Sequence, residues 1–304
     1  MRKVKYWLSS VNVLARRIIL LVHSALQTTK LGLPLRYSLF PLLPKLRWGF
    51  VQTDSAPRGC DSQLEKSVDV IISLYKFEKY RGVLEESLAS CFHNPKITFH
   101  FILVSGSPSE IDWVQKLVGA SHHKIHLSTT RIGIYEAWNL GIQNGYADFV
   151  TNLNADDFRL PHSICQQAAH LQQSGKDGSY GNFALSSDIF ESLKSPKAKH
   201  LVSNLGKFET KTLVEGSQNF MHCAPMWKRD LHTRIGFFDP TLSSSGDTQF
   251  WLRCLVSGAA FELYPPVTAI YFHNPEGLST SVSSAGTKEW GRIRRDYLEK
   301  ETQN

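Results

Sequence analysis

VDVIISLYKFEKYRGVLEESLASCFHNPKITFHFILV, residues 68–104, decides the fold class. Its two ends, Val68–Ser73 and Phe99–Val104, are short apolar runs rich in β-branched and aromatic residues, the pattern of buried strands. Between them, Arg81–Phe92 sets Leu84, Leu88 and Phe92 on one face of a helix. The alternation continues with a helix at Pro108–Val118, a short strand at Lys124–Ser128 and a helix at Ile134–Asn144. A strand at Asp148–Leu153 and a helix at Pro161–Ser174 follow. Strands and helices in turn, with short connections, predict an α/β protein whose mainly parallel central sheet is covered on both faces. In such sheets ligands bind beyond the carboxyl ends of the strands. That rule marks Ser73–Lys76, Ser105–Ser107 and Asn154–Asp157 as lining. Further on the alternation lapses: Tyr180–Ser186 and Glu262–Tyr271 read as strands, Asp247–Ser257 and Glu289–Lys300 as helices.

Composition narrows the function. The 304 residues are 42% hydrophobic and 20% charged, which excludes a mostly disordered chain. Five scattered cysteines without a CxxC pair argue against a disulfide framework or structural zinc and favour a reducing compartment. The formal charge of +7 is concentrated at one end, because residues 1–53 hold nine Lys and Arg and no acid. The rest of the chain is nearly neutral, so no basic stripe for nucleic acid is expected.

The basic end reads as an appendage. Val4, Trp7, Val11, Leu14, Ile18, Leu21 and Ala25 fall on one face of an amphipathic helix. Arg16 and Arg17 interrupt any membrane span or secretory core. Residues 1–30 can lie on an anionic membrane surface or dock on the body through the same stripe; a transit peptide is a third reading. Residues 1–62 are therefore assigned to a basic helix and arm, 63–285 to the main domain, and 286–304 to a helical tail. The expected location is cytoplasmic, either free or on the inner face of a membrane.

Four motifs carry candidate chemistry. Asn154-Ala155-Asp156-Asp157 follows a buried strand, and adjacent carboxylates there call for a cation or donors to offset their repulsion. A turn leading into the next helix is the plainer account. Gly246-Asp247 opens a helix after a serine-rich loop, which suits Asp247 as an N-cap and also as a general base held at a loop–helix junction. Arg131 and Gly133 precede a helix in which Trp138 reads as core and Asn139 as a buried amide needing partners. His273, beside Asn274-Pro275, is a loop residue or a metal or phosphate contact.

Taken in order, VDVIISLYKFEKY, RIGIYEAWNLGI, ADFVTNLNADDFRLP, IGFFDPTLSSSGDTQFWLR and YFHNPEGLSTS resemble the family-2 glycosyltransferases of GT-A fold, over residues 66–284. The resemblance implies a single nucleotide-sugar-binding domain and a metal-dependent, inverting transfer. The donor would be a nucleotide-diphosphate sugar and the acceptor a hydroxyl of a glycan or lipid-linked substrate. It implies Asp247 as catalytic base, and Asp156, Asp157 and His273 as ligands of a divalent Mg or Mn ion. Ser73, Tyr75, Ser105, Arg131, Asn139, Asn154 and Asp156 would meet the donor. One departure stands out: where the family carries an acidic pair after the second strand, this chain reads Val104-Ser105-Gly106-Ser107. A catalytically silent relative that binds a sugar nucleotide or a partner is the alternative. Acceptor choice is expected within residues 187–245, Met221–Arg229 included.

Overall fold

The computed structural model describes residues 46–50, 64–186, 199–203, 205–214, 219–221, 223–272 and 285–301. The amphipathic stripe of residues 4–25 and His273 lie outside them. The strands are β1 (Leu46–Phe50), β2 (Val68–Leu74), β3 (Ile97–Val104), β4 (Lys124–Ser128), β5 (Phe149–Asn154), β6 (Phe158–Arg159), β7 (Gly178–Ser186), β8 (Lys199–Ser203), β9 (Met226–Lys228) and β10 (Phe261–Phe272). The helices are α1 (Arg81–Ala89), α2 (Pro108–Val118), α3 (Ile134–Gln143), α4 (Ser163–Ser174), α5 (Thr210–Val214), α6 (Leu231–Ile235), α7 (Gly246–Val256) and α8 (Ala285–Glu301).

One sheet runs β1-β8-β7-β9-β5-β2-β3-β4, with β10 and β6 joined beside β7. Its half nearer the amino terminus in sequence, β4-β3-β2-β5, is wholly parallel. Strand β9 enters antiparallel between β5 and β7, and β10 then runs parallel to β7. The side-chain period of two divides the core. Val70, Ile72 and Leu74 face α1, α2 and α4, where they meet Leu84, Val114 and Ala168. Ile71 points the other way, into a cluster with Trp138 of α3 and Phe250 and Trp251 of α7. Helix α3 lies very close to β2: a Cβ on Gly141 would stand 2.8 Å from Ile71 Cγ2. Only glycine allows that approach.

A buried ionic group braces the amino end of the sheet. Asp69 Oδ1 meets His100 Nε2 at 3.1 Å, Oδ2 accepts the Ala147 N–H at 3.0 Å, and Arg229 is ion-paired to the same carboxylate. Burial works against the Asp69 charge, but these partners outweigh it and hold the carboxyl below its usual range. Arg229 also donates from Nε to the Ala147 carbonyl at 2.7 Å, so β9 is tied to the turn before β5.

Two histidines are kept neutral inside. His232 accepts from Trp227 Nε1 at 2.9 Å and stacks against Phe237 and Phe250. His123 takes the Phe99 N–H at Nδ1, 3.3 Å. Burial pushes both down to about 4. In the unfolded chain a histidine titrates near ~6.5, so the unfolded state binds the proton first as pH falls. Each histidine therefore removes roughly 2 kcal/mol of stability between pH 7 and 5. His232→Gln keeps an acceptor for Trp227 and cannot titrate. In urea unfolding at pH 7 and pH 5 it should lose about 2 kcal/mol less than the wild type; equal losses would refute a neutral His232.

Candidate active site

The chain leaves β2 for β3 and β4 on one side and returns as β5 on the other, so the loops after β2 and β5 diverge at this point of the sheet. Ser73 and Asn154 are direct partners in the β2–β5 register at the carboxyl edge. Beyond Ser73 the chain turns sharply, with Lys76 in the left-handed region at φ 49°. Glu110 fixes that turn. Its Oε1 accepts the Phe77 N–H at 2.9 Å, while Oε2 accepts the Ser107 N–H at 2.9 Å in the capping box of α2. The turn leaves Tyr75 41% exposed, and the Arg131 guanidinium lies 5.1 Å from its ring centroid. Arg131 sits in the loop after β4, so a cation and an aromatic face from two loops meet at the edge beside Ser73. Ser105 adopts φ 50° after β3, and its N–H is bonded to the Ser128 carbonyl at 2.8 Å, which joins the loops after β3 and β4.

The acidic motif occupies the end of β5. Asp157 is buried and accepts from Asn154 Nδ2 at 3.0 Å. Burial, and then the neighbouring Asp156 charge, push its carboxyl well above the ordinary range, while the Asn154 amide and the Phe272 backbone pull the other way. Asn154 Oδ1 and Asp157 Oδ1 are buried and have no hydrogen-bond partner. Orphaned oxygens beside a second carboxylate suit a hard divalent ion, which takes oxygen ligands and would offset the repulsion. Among the described residues no group of three His, Cys, Asp or Glu side chains is poised to hold a metal, so the fit rests on Asn154, Asp156 and Asp157. Strand β10 pairs with β6 at Ile270 and Phe158, which brings the end of β10 against Asp157.

Asp247 is held from two other elements. Tyr135, at the start of α3, donates its hydroxyl to Oδ1 at 3.1 Å, and Asn219 Nδ2 donates to Oδ2 at 2.9 Å. Thr248 Oγ1 adds a longer contact of 3.3 Å. Burial raises the Asp247 carboxyl, and the Thr248 backbone, Tyr135, the Thr248 hydroxyl and Asn219 draw it back without cancelling the rise. Tyr135 is itself pushed up by burial and by the Asp247 charge, which keeps it protonated and donating. Its ring also explains Gly246: a Cβ there would stand 2.6 Å from Tyr135 Cδ2. Tyr135 lies four residues beyond Arg131, in the first turn of α3, so Asp247 is anchored to the loop–helix junction whose other end meets Tyr75.

Several expectations change. Asp247 is not the N-cap; Ser245 takes that position, and Asp247 lies inside the first turn of α7 with its carboxylate turned to Tyr135 and Asn219. Asn139 does not face a donor. Its Nδ2 donates to the Phe238 carbonyl at 2.8 Å and its Oδ1 accepts the Phe238 N–H at 3.1 Å, so the buried amide clamps the loop after α6. The described residues of the 221–229 stretch are largely core: Met221, Cys223, Ala224, Met226 and Trp227 are buried and Arg229 serves Asp69, so among them no exposed aromatic is left for a glycan. Tyr135 and Asn219 are functional contacts that the motifs do not mark. Tyr135 stands inside RIGIYEAWNLGI, four residues after Arg131, whereas nothing local to Asn219 announces its contact.

Residues 69–236 match the glycosyl transferase family 2 profile. A protein of Haemophilus influenzae described as an uncharacterized glycosyltransferase is 24% identical over 191 residues, 62% of this chain and 71% of its own length. Among solved structures, the 1–349 fragment of S. aureus TarS, in complex with UDP-GlcNAc, superimposes with a TM-score of 0.57 at 14% identity over 75% of this chain. The chain spans 64% of that fragment. The mannosyltransferase PcManGT of Pyrobaculum calidifontis, in complex with GDP-Man and Mn2+, gives a TM-score of 0.52 at 18% identity over 85% of this chain and 70% of its own. These two likenesses establish the fold, a GT-A arrangement built on a curled, mixed α/β sheet. With its sequence matched across more than half its length, the chain belongs to glycosyl transferase family 2.

Proposed function

We propose that this chain transfers a sugar, with inversion at the anomeric carbon, from a nucleotide-diphosphate donor to a hydroxyl of a glycan or lipid-linked acceptor. The observation that carries the reading is Asp247, a carboxylate of raised proton affinity held by Tyr135 and Asn219 at the edge where the parallel strands end. A base must be ionised to act, yet basic enough to take a proton as the attacking bond forms. Asp247 would accept the acceptor hydroxyl's proton while that oxygen attacks the anomeric carbon, and the diphosphate would leave from the opposite face. Tyr75 offers a ring for the base, and Arg131 places positive charge beside the donor edge. The donors in the TarS and PcManGT complexes, UDP-GlcNAc and GDP-Man, support a nucleotide-sugar here.

Asn154, Asp156 and Asp157 would hold a divalent ion, which supplies a positive charge to the departing diphosphate. Asp157 supports this reading, because a buried carboxyl with an orphaned oxygen and a neighbouring acid favours its charged form only when a cation arrives. The Val104-Ser105 departure favours a second reading, a silent relative that binds the sugar nucleotide without turnover. A position on the inner face of a membrane, through residues 1–30, belongs to the same proposal.

Asp247→Asn should leave donor binding intact by thermal shift while lowering turnover about a hundredfold or more. Turnover at the wild-type rate would remove Asp247 from the chemistry. Absence of turnover in the wild type with UDP-GlcNAc and GDP-mannose, despite a binding shift, would select the silent reading. Tyr135→Phe deletes a donor that favours ionised Asp247, so the acid limb of the pH–rate profile should move to higher pH; an unmoved limb would contradict the coupling. Asp156→Asn should abolish the extra thermal shift that Mn2+ adds to UDP, whereas a retained shift would place the ion elsewhere.

A further inference from the structure

We propose that Glu289 of the C-terminal helix is a positioning residue for Asp247, so that α8 is part of the catalytic unit rather than a tail. This rests on the reading of Asp247 as the base. Residues 243–245, the serine loop leading into α7, present successive backbone N–H groups to one carboxylate. Glu289 Oε1 accepts the Ser243 N–H at 2.8 Å and the Ser243 hydroxyl at 2.7 Å. Its Oε2 accepts the N–H groups of Ser244 and Ser245, each at 3.0 Å. Such a row of N–H groups is an anion-binding nest, here filled from within the chain.

The arrangement replaces a local cap. Ser245 is the N-cap of α7, but its side chain makes no capping bond, so Glu289 brings the negative charge that a helix N-terminus favours. Burial opposes the Glu289 charge, and the Ser243 hydroxyl with the three backbone donors more than offsets it, holding the carboxyl below its usual range. The helix that carries Glu289 is fastened independently, since Trp290, Ile293 and Tyr297 pack on the core cluster that contains Tyr135 and Phe250. Gly246, next in the chain after Ser245, touches the Tyr135 ring, and Asp247 follows with its carboxylate on the Tyr135 hydroxyl. A shift of the serine loop would carry Asp247 off Tyr135 and Asn219, and displacement of a reacting group by about 1 Å can cost a hundredfold in rate.

The test uses the full chain. Glu289→Gln keeps one acceptor oxygen but turns an amide N–H2 toward the loop donors. Release of UDP from UDP-GlcNAc, or GDP from GDP-mannose, with Mn2+ should fall about ten- to a hundredfold in kcat, with thermal-shift binding of the nucleotide unchanged. The Asp247 side-chain carbon signal, identified through Asp247→Asn, should titrate about 0.5 pH unit higher, because the loosened loop takes the carboxylate off the Tyr135 and Asn219 donors that favour its charge, by more than the lost Glu289 charge draws it down. Ser243→Ala removes one donor without touching Glu289 and should move both quantities in the same direction by less; it also serves if Glu289→Gln does not fold. Unchanged kcat and an unmoved Asp247 titration in these variants, with Asp247→Asn inactive, would overturn the role of Glu289 and leave the base in place. An active Asp247→Asn would overturn both. If the wild type hydrolyses neither donor, the Asp247 titration alone decides.

Discussion

Everything at the working edge depends on the pairing of β2 with β5 in parallel register. Ser73 and Asn154 are held opposite each other by main-chain hydrogen bonds, and the two chains must then part because their next elements lie on opposite sides. A crevice follows from connectivity alone. Its walls come from the turn fixed by Glu110, from the loop carrying Arg131, and from the acidic end of β5. The packing of α3 on β2, permitted by Gly141, then sets Tyr135 relative to that crevice, and through Tyr135 the carboxylate of Asp247.

The carboxylates of the molecule differ because their surroundings resolve the same conflict differently. Asp69 is buried but surrounded by donors and a guanidinium, and it remains charged. Asp157 is buried beside another acid with one weakly compensated oxygen, and its proton affinity climbs. Asp247 falls between them, with several donors that do not fully answer the burial. Dehydration is common to all; the count and charge of partners decides the outcome. That ordering separates an acid that braces the fold from one suited to a cation and one suited to a proton.

Local signals in the sequence mark their own elements closely. Pro108–Val118 and Lys124–Ser128 coincide with α2 and β4, because Ser107, Pro108 and Glu110 write the start of α2 into adjacent positions. Helical spacing continues to Phe92, beyond the end of α1 at Ala89, because Phe92 packs against His123 after the helix has stopped. Asp247 looked like a cap because Asp near a helix start usually is one, and only the distant Tyr135 and Asn219 reveal the different use. Asn139 drew notice for the right physical reason, an amide that cannot be buried alone, but its partner was the Phe238 backbone, 99 residues away. The contacts of Arg229 with Asp69 and of Glu289 with the serine loop span 160 and about 45 residues, and no periodicity encodes either.

Asp69 and Ser73 stand four residues apart on β2, roughly 13 Å along an extended strand. The ionic brace and the crevice thus occupy opposite poles of one strand, with only Val70, Ile71 and Ile72 between them. Variation that reshapes the crevice loops meets none of the groups that secure the amino pole. Such a division lets the crevice loops change by small steps, each tolerated by a scaffold whose anchorage lies out of reach.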